Sequence, residues 1–267
     1  SRGIGGYSAL DYLIKVKEMP FMQAVETIMG NVAVSPPTYM PAQKEQKPKV
    51  LLLPKANRCA THAVEYLHGR GIDYDLIDFC ISTGRLYESY PYHNVVFVGQ
   101  DRRNKPRYAN LRGIGSDFIG DANGSDKHYS FGIPAAFESD TLNLFESAVD
   151  LLSYGTMQKL DGKDWRHENL LSLAGVYKPK ARIEESSLPV ALVQYLADYP
   201  HIRKVVLRLD NDPAGRIAAA TIKNLLTKRY AVTVDIQPSP QGKDYNDCLC
   251  LRLGLPITKR KERSKER

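Results

Sequence analysis

A chain of 267 residues with 43% apolar content and four cysteines has enough material for one large or two modest cores. No run approaches the eighteen apolar residues of a membrane span, and no charged-then-apolar leader pattern opens the chain, so export and membrane insertion are not expected and the cytoplasm is the default compartment. Of the formal charge of +7, the tail Thr258–Arg267 supplies +4 with six basic and two acidic residues, which leaves a body only about +3 and a basic, disordered tail (258–267).

The chain opens on Ser1 in a Gly-rich turn, Arg2-Gly3-Ile4-Gly5-Gly6, as a fragment with sequence missing upstream would. Ala9, Leu10, Leu13 and Ile14, then Phe21, Ala24, Val25 and Ile28, keep helical spacing on either side of Pro20, which predicts a small helical hairpin. Residues 31–49 carry Pro36, Pro37, Pro41 and Pro48 among Gln, Lys and Ser, a linker composition. From Leu51 to about Ser139 the expected elements are helices at Cys59–His68 and Tyr74–Cys80. A strand Asn94–Gly99 and its return Tyr108–Arg112 flank the polar turn Asp101–Lys105. Beyond Ser139 strand and helix alternate: Thr141–Glu146, Ala148–Gln158, Leu170–Leu173, Leu188–Asp198, Lys204–Leu209, Pro213–Arg229 and Ala231–Ile236. Such βαβ alternation implies a parallel sheet with helices on both faces.

The chemistry is expected at the ends of two of these strands. Leu142–Asp150 runs from apolar residues into Glu146, and Val205–Gly215 runs into Asp210-Asn211-Asp212-Pro213. Acids that end buried strands just before helices converge at the carboxyl edge of a parallel sheet, where they repel one another unless a divalent cation lies between them. Asp212 before Pro213 is also a good helix N-cap, so capping alone accounts for it; Asp210 is not accounted for that way and wants a metal or a cationic partner. A calcium loop fails, because Ala214 and Thr221 stand where further ligands belong. Asp150, one turn beyond Glu146, suits the first turn of a helix. Gly242-Lys243-Asp244-Tyr245-Asn246-Asp247 follows the last strand, where a capped turn and chemistry are equally good explanations. Cys59, Cys80, Cys248 and Cys250 form no zinc-ribbon pair and are read as reduced, mostly buried thiols.

These residues resemble the Toprim domain shared by bacterial primases, topoisomerases and some nucleases. Glu146 looks like the glutamate ending the family's first strand, with Asp150 in the Glu-x-x-x-Asp spacing of primases. Ser172-Leu173-Ala174-Gly175 is similar to the central strand and its glycine, Asp210-x-Asp212 to the Asp-x-Asp motif, and Lys243-Asp244-x-Asn246-Asp247 to the ending of the primase-like branch. Gly5-Gly6-Tyr7-Ser8-Ala9-Leu10-Asp11-Tyr12-Leu13 resembles the end of a primase zinc-binding module. Residues 1–58 hold no cysteine or histidine, so no zinc is expected in the chain. Tyr66-Leu67, Asn94–Phe97, Leu111-Arg112-Gly113 and Gly124–Lys127 resemble an uncharacterised domain found beside Toprim domains in proteins of plasmids and conjugative elements.

The resemblance implies a Toprim-like parallel sheet flanked by helices at 139–257, preceded by a mixed α+β domain at 50–138 and a remnant hairpin at 1–30. It implies Glu146, Asp210 and Asp212 as catalytic residues and ligands of Mg²⁺ or Mn²⁺, with Asp150, Gly175, Lys243, Asp244 and Asp247 in support. The expected activity is a primase-like nucleotidyltransferase working on single-stranded DNA with nucleoside triphosphates, in the replication or transfer of a mobile element and with a helicase or relaxase as partner. The alternatives are a Toprim nuclease or topoisomerase-like strand breaker, and a non-catalytic nucleic-acid-binding accessory. Arg102, Arg103, Lys105, Arg107, Arg112 and Lys127 are the candidate nucleic-acid contacts. Arg112 and Lys127, beside Gly113 and Ser125, are favoured, and Tyr108 interleaves as a base-stacking candidate.

Overall fold

The structure, a computed structural model, describes residues 8–30, 50–173, 175, 177–180 and 185–257, so the expected linker at 31–49 and basic tail at 258–267 lie outside the described residues. The chain divides into two compact units, Ser1–Lys47 and Pro48–Arg267. In the first, α1 (Ala9–Lys15) and α2 (Phe21–Gly30) are the two helices expected around Pro20. The Ser8 hydroxyl accepts from the Asp11 N–H at 3.2 Å and caps α1, Pro20 C=O accepts from the Ala24 N–H at 2.9 Å at the start of α2, and Ala24 is fully buried.

The second unit opens with α3 (Thr61–Gly69) and α4 (Tyr74–Ser82), then an antiparallel meander of β1 (Leu86–Glu88), β2 (Val95–Gln100), β3 (Pro106–Arg112) and β4 (Ile119–Asp121) in spatial order β1-β2-β3-β4. Gly99 in β2 lies against the 3₁₀ turn at Lys127–Tyr129, where a Cβ would stand 1.7 Å from the Tyr129 carbonyl oxygen; only glycine fits there.

A second sheet follows. Its strands β5 (Gly132–Ile133), β6 (Thr141–Phe145), β7 (Asn169–Ser172), β8 (Lys204–Arg208) and β9 (Thr233–Ile236) lie in the order β5-β7-β6-β8-β9, with β5 antiparallel and the rest parallel. The connecting helices are α5 (Ala148–Leu160), α6 (Val190–Asp198) and α7 (Pro213–Arg229), and α8 (Tyr245–Leu253) closes the unit. This is the mixed α/β architecture that the strand–helix alternation implies.

Period-2 alternation sends successive side chains of β6 to two separate cores. Leu142 and Leu144 enter the one built with β8, α6 and α7, while Phe145 enters the other, shared with α3, α4, α5 and Tyr245. Each fully buried Leu or Phe is worth about 1.5–3 kcal/mol of apolar transfer. Asn143 is buried between them at 1% exposure and is satisfied on both sides, donating to Glu168 at 2.6 Å and accepting from Arg208 at 2.8 Å. β6 pairs with both β7 and β8, Phe145 opposite Ser172 on one side and Arg208 on the other, so the residues after Phe145 and after Arg208 emerge side by side at one edge. Among the described residues no helix is long and apolar enough to cross a membrane.

Candidate metal centre

Three chain reversals deliver carboxylates to the carboxyl edge of the parallel sheet. After β6, Ser147 caps α5: its hydroxyl accepts from the Asp150 N–H at 3.3 Å and bonds the Asp150 carboxylate at 2.5 Å, which fixes Asp150 in the first turn. After β8, Asp210 is 5% exposed, and Asp212 caps α7 by accepting from the Gly215 N–H at 2.8 Å, with Pro213 in the first turn. Gly215 lets α7 descend onto the strand end, since a Cβ on it would stand 2.1 Å from the Asp210 carbonyl oxygen. After β9, Asp244 caps α8 through the Asp247 N–H at 2.8 Å.

One oxygen from each of Asp150, Asp210 and Asp244 lies within 4.8 Å of the others. Asp150 is 5% exposed, and burial together with the charges of Asp244 and Asp210 pushes its carboxyl up to about 7, against the opposing bonds from Ser147 and the Asn246 backbone. Burial and two like charges disfavour the ionised form of Asp150, and a cation beside it would favour that form. An all-oxygen donor set of this kind fits a hard divalent cation such as Mg²⁺ or Mn²⁺.

Lys243 is the cation that the chain itself supplies. Its Nζ stands 3.1 Å from Asp210 and 3.2 Å from Asp212, and although partial burial acts to lower its pKa, the two carboxylates raise it. In Asp212 burial acts upward, but the Gly215 N–H and Lys243 outweigh it and hold the carboxyl low. Asn246 locks the edge to α3: its N–H donates to Asp150 at 3.2 Å, and its side chain bonds Ser153, the Arg70 carbonyl and the Arg70 guanidinium, the last at 2.6 Å.

The donor cluster thus unites Asp210 with two residues that the sequence assigns only to support, Asp150 and Asp244. Glu146 and Asp212 emerge at the same edge but are not members of that cluster. Asp247 accepts from the Lys243 N–H at 3.1 Å, with burial and the Asp244 charge raising its carboxyl. Gly175 lies beyond β7 with φ +113°, a conformation only glycine takes readily; residues 174 and 176 are outside the described residues.

The basic candidates are distributed over the antiparallel sheet and its turns. Arg107 pairs with Asp101 at 3.5 Å and Asp126 at 3.7 Å, Lys127 pairs with Asp121 at 3.1 Å, and Arg112 donates to the Tyr66 hydroxyl at 2.9 Å. Arg102 lies over the Tyr199 ring, and Arg103 and Lys105 are exposed in the β2–β3 turn. Tyr108 departs from the expectation of a base-stacking ring. It is 2% exposed and its hydroxyl bonds Asp121 at 2.5 Å, so it packs inside the sheet instead of stacking on a base.

A Toprim-like family model matches residues 143–249, which hold every acid of the cluster. Residues 143–249 are thus similar to a Toprim-like domain. A protein family of unknown function (DUF3991) matches residues 65–136, ahead of the Toprim-like domain, where the sequence resembles an uncharacterised Toprim neighbour. Among solved structures, the primase fragment of the bacteriophage T7 primase-helicase protein overlaps 70% of this chain and 69% of its own, at 14% identity and a TM-score of 0.47. The E. coli primase catalytic core overlaps 73% of this chain and 70% of its own, at 15% identity and a TM-score of 0.48. The RNA polymerase domain of the Mycobacterium tuberculosis primase DnaG overlaps 73% of this chain and 72% of its own, at 14% identity and a TM-score of 0.49. No curated protein matches the chain.

Proposed function

We propose that this protein is a divalent-metal-dependent, primase-like nucleotidyltransferase that acts on single-stranded DNA and nucleoside triphosphates, serving a mobile element's replication or transfer alongside a helicase or relaxase. The observation that carries the proposal is the convergence of buried Asp150 and Asp210 with half-buried Asp244 inside the Toprim-like domain. These three carboxylates would hold the ion, with Glu146 and Asp212 at the same edge as the further acids of the catalytic set. When bound, Mg²⁺ or Mn²⁺ supplies charge neutralisation to a nucleotide's phosphates during in-line displacement.

The chain's own groups prepare the site. Ser147 and the Asn246 N–H orient Asp150, the start of α7 orients Asp212, and Lys243 balances Asp210 and Asp212 while the edge is metal-free. Lys243 is 41% exposed in its side chain, so it can swing out as an ion enters. The exposed Arg103 and Lys105, with Arg102, Arg107, Arg112 and Lys127, would contribute the sequence-independent attraction a template backbone requires. The test is extension on a single-stranded DNA template with labelled ribonucleotides and Mg²⁺ or Mn²⁺, comparing the wild type with Asp210→Asn and Glu146→Gln. Products that vanish in both variants support the reading. No product from any of the three proteins, with DNA bound equally by all, would replace it with a non-catalytic binding role, and strand cleavage in place of synthesis would make the protein a nuclease.

A further inference from the structure

A second set of metal-type donors converges where α3 meets β1, with Glu88 and His93 inside the span matched by the family of unknown function and His62 just ahead of it. Glu88 ends β1 with its side chain fully buried. One oxygen, Oε2, accepts from the Ala63 N–H at 3.1 Å. The other, Oε1, faces three groups at once: Asn57 Nδ2 at 2.9 Å, His62 Nδ1 at 3.0 Å and His93 Nδ1 at 2.5 Å. The two imidazoles meet edge to face with centroids 4.8 Å apart, and the three donor atoms of His62, Glu88 and His93 all lie within 4.8 Å of one another.

The elements around the cluster hold it in place. His62 sits in the first turn of α3, whose Ala63 N–H anchors the carboxylate. His93 sits in the left-handed region at φ +54°, in a reversal closed by the Ser89 C=O accepting from the His93 N–H at 2.9 Å and the Ser89 hydroxyl accepting from the Asn94 N–H at 3.1 Å. A histidine held there costs about 1–3 kcal/mol of backbone strain, a cost that functional constraints impose. Burial acts to raise the Glu88 carboxyl, yet bonds from His93, Ala63, His62 and Asn57 bring it down to about 2, so it stays ionised. Capping the buried carboxylate would require Ala63 and Asn57 only. Two imidazole nitrogens aimed at the same oxygen are more than that task needs.

We infer that His62, His93 and Glu88 form a binding site for a divalent transition-metal ion of the zinc class, with two imidazole nitrogens and one carboxylate oxygen as ligands. Donors around a tetrahedral ion with bonds of about 2.0–2.1 Å stand roughly 3.3 Å apart; Glu88 Oε1 lies 3.0 Å from His62 Nδ1 and 2.5 Å from His93 Nδ1, so a slight opening of the cluster would admit the ion. Nitrogen donors select zinc-class ions over Mg²⁺, which separates this site from the all-oxygen cluster. Both histidines are about half exposed, at 56% and 43% of their side chains, so the fourth position opens to solvent. To coordinate through Nδ1, each neutral imidazole would carry its proton on Nε2, leaving the Nδ1 lone pair for the ion. Asn57 is the outer residue that orients Glu88, donating from Nδ2 to Oε1 at 2.9 Å. Cys59, three residues ahead of His62, is exposed and hydrogen-bonded by Thr61 at 3.4 Å; it stands outside the donor set. The ion would fasten one end of α3, the helix whose other end reaches the carboxylate edge through Arg70 and Asn246.

The test strips the full chain with chelator and titrates it with Zn²⁺ in excess Mg²⁺, which keeps the carboxylate cluster occupied; Co²⁺ absorption then reports coordination geometry. One equivalent of Zn²⁺ and a tetrahedral Co²⁺ spectrum are expected for the wild type, for Cys59→Ser and for the distant control His128→Ala. His62→Ala and His93→Ala are expected to lose both signals while keeping the wild-type circular dichroism, since each removes a half-exposed side chain. Asn57→Ala is expected to weaken binding on the order of 10–100-fold. Zn²⁺ bound by folded His62→Ala and His93→Ala as tightly as by the wild type, or by none of the proteins, would overturn the assignment.

Discussion

Gly215 sets the distance between α7 and the end of β8, and Gly215→Ala tests whether that close approach shapes the acidic edge. The added Cβ would meet the Asp210 carbonyl oxygen at 2.1 Å, its carbon at 2.9 Å and its Cα at 3.2 Å. Ordinary contact begins near 3.4 Å, so the strand end and the helix must separate by about 1.3 Å or bend apart. All three neighbours are backbone, and Gly215 is itself buried, so no flexible side chain can absorb the shift. Overpacking of this kind costs about 1–3 kcal/mol, while replacing a helical glycine by alanine returns up to about 1 kcal/mol, for a net loss of about 1–2 kcal/mol. Urea unfolding read by circular dichroism measures the loss. The same shift carries Asp210 away from Asp150 and Asp244, so Mg²⁺ should stabilise Gly215→Ala less than the wild type. An alanine variant as stable as the wild type and stabilised equally by Mg²⁺ would show that the approach of α7 to Asp210 does not set the edge.

Asp150→Asn should raise the stability of the metal-free protein at pH 8 by on the order of 1–3 kcal/mol, because burial and the Asp244 and Asp210 charges disfavour its ionised form, and should abolish stabilisation by Mg²⁺; thermal melts with and without the ion read both. Lys243→Gln should do the opposite, lowering the metal-free melting temperature by the equivalent of about 1 kcal/mol, with Mg²⁺ restoring it. Asp121 governs a pH effect in the antiparallel sheet. Burial acts to raise its carboxyl, but Tyr108, Asn110 and Lys127 lower it below its unfolded value, so its contribution is fully present above about pH 4 and is lost as pH falls through the lower folded value. Urea midpoints of Asp121→Asn should therefore fall less steeply below pH 4 than those of the wild type. The double variant Arg103→Ala, Lys105→Ala should reduce the salt dependence of single-stranded DNA binding by roughly 0.7 in log–log slope for each phosphate that is no longer neutralised, measured by fluorescence anisotropy across a salt series.

The parallel sheet was legible in the sequence because its central strands β6, β7 and β8 are rich in buried apolar residues and α5 and α7 begin with strong caps, Ser147 and Asp212. Pro213–Arg229 emerges with the predicted ends, fixed by Asp212 and Pro213 at one end and two basic residues at the other. The three-residue strands β1 and β4 and the two-residue β5 carry too few side chains for a period-2 signal; β1 and β4 form on the neighbouring strands β2 and β3, and β5 on the distant β7. The helix α8 was hidden for a related reason: Gly242–Asp247 reads as a turn, and the helix it starts is nine residues long, with buried Cys248 and Cys250 among its packing residues.

At the site, the strand-end acids were visible from apolar runs that stop on carboxylates. Which of them share one point was not, since it depends on the pitch of three helix starts. A residue three places into α5 and the cap of α8 each bring a carboxylate oxygen within 4.8 Å of Asp210. The Asp150 spacing and the Lys243–Asp247 motif were the available signals. The pairing of Glu88 with His62 and His93 gave none, because its members sit 26 and 5 residues apart and meet only through the packing of β1 against α3 and the reversal between β1 and β2.

The most direct test of the central claim, that Asp150, Asp210 and Asp244 hold one divalent ion, is Mn²⁺ binding followed by electron paramagnetic resonance in a His62→Ala background, which removes the second site. One bound Mn²⁺ in the parent, absent from each of Asp150→Asn, Asp210→Asn and Asp244→Asn, is the predicted result. Equal Mn²⁺ binding by the parent and all three variants would contradict it.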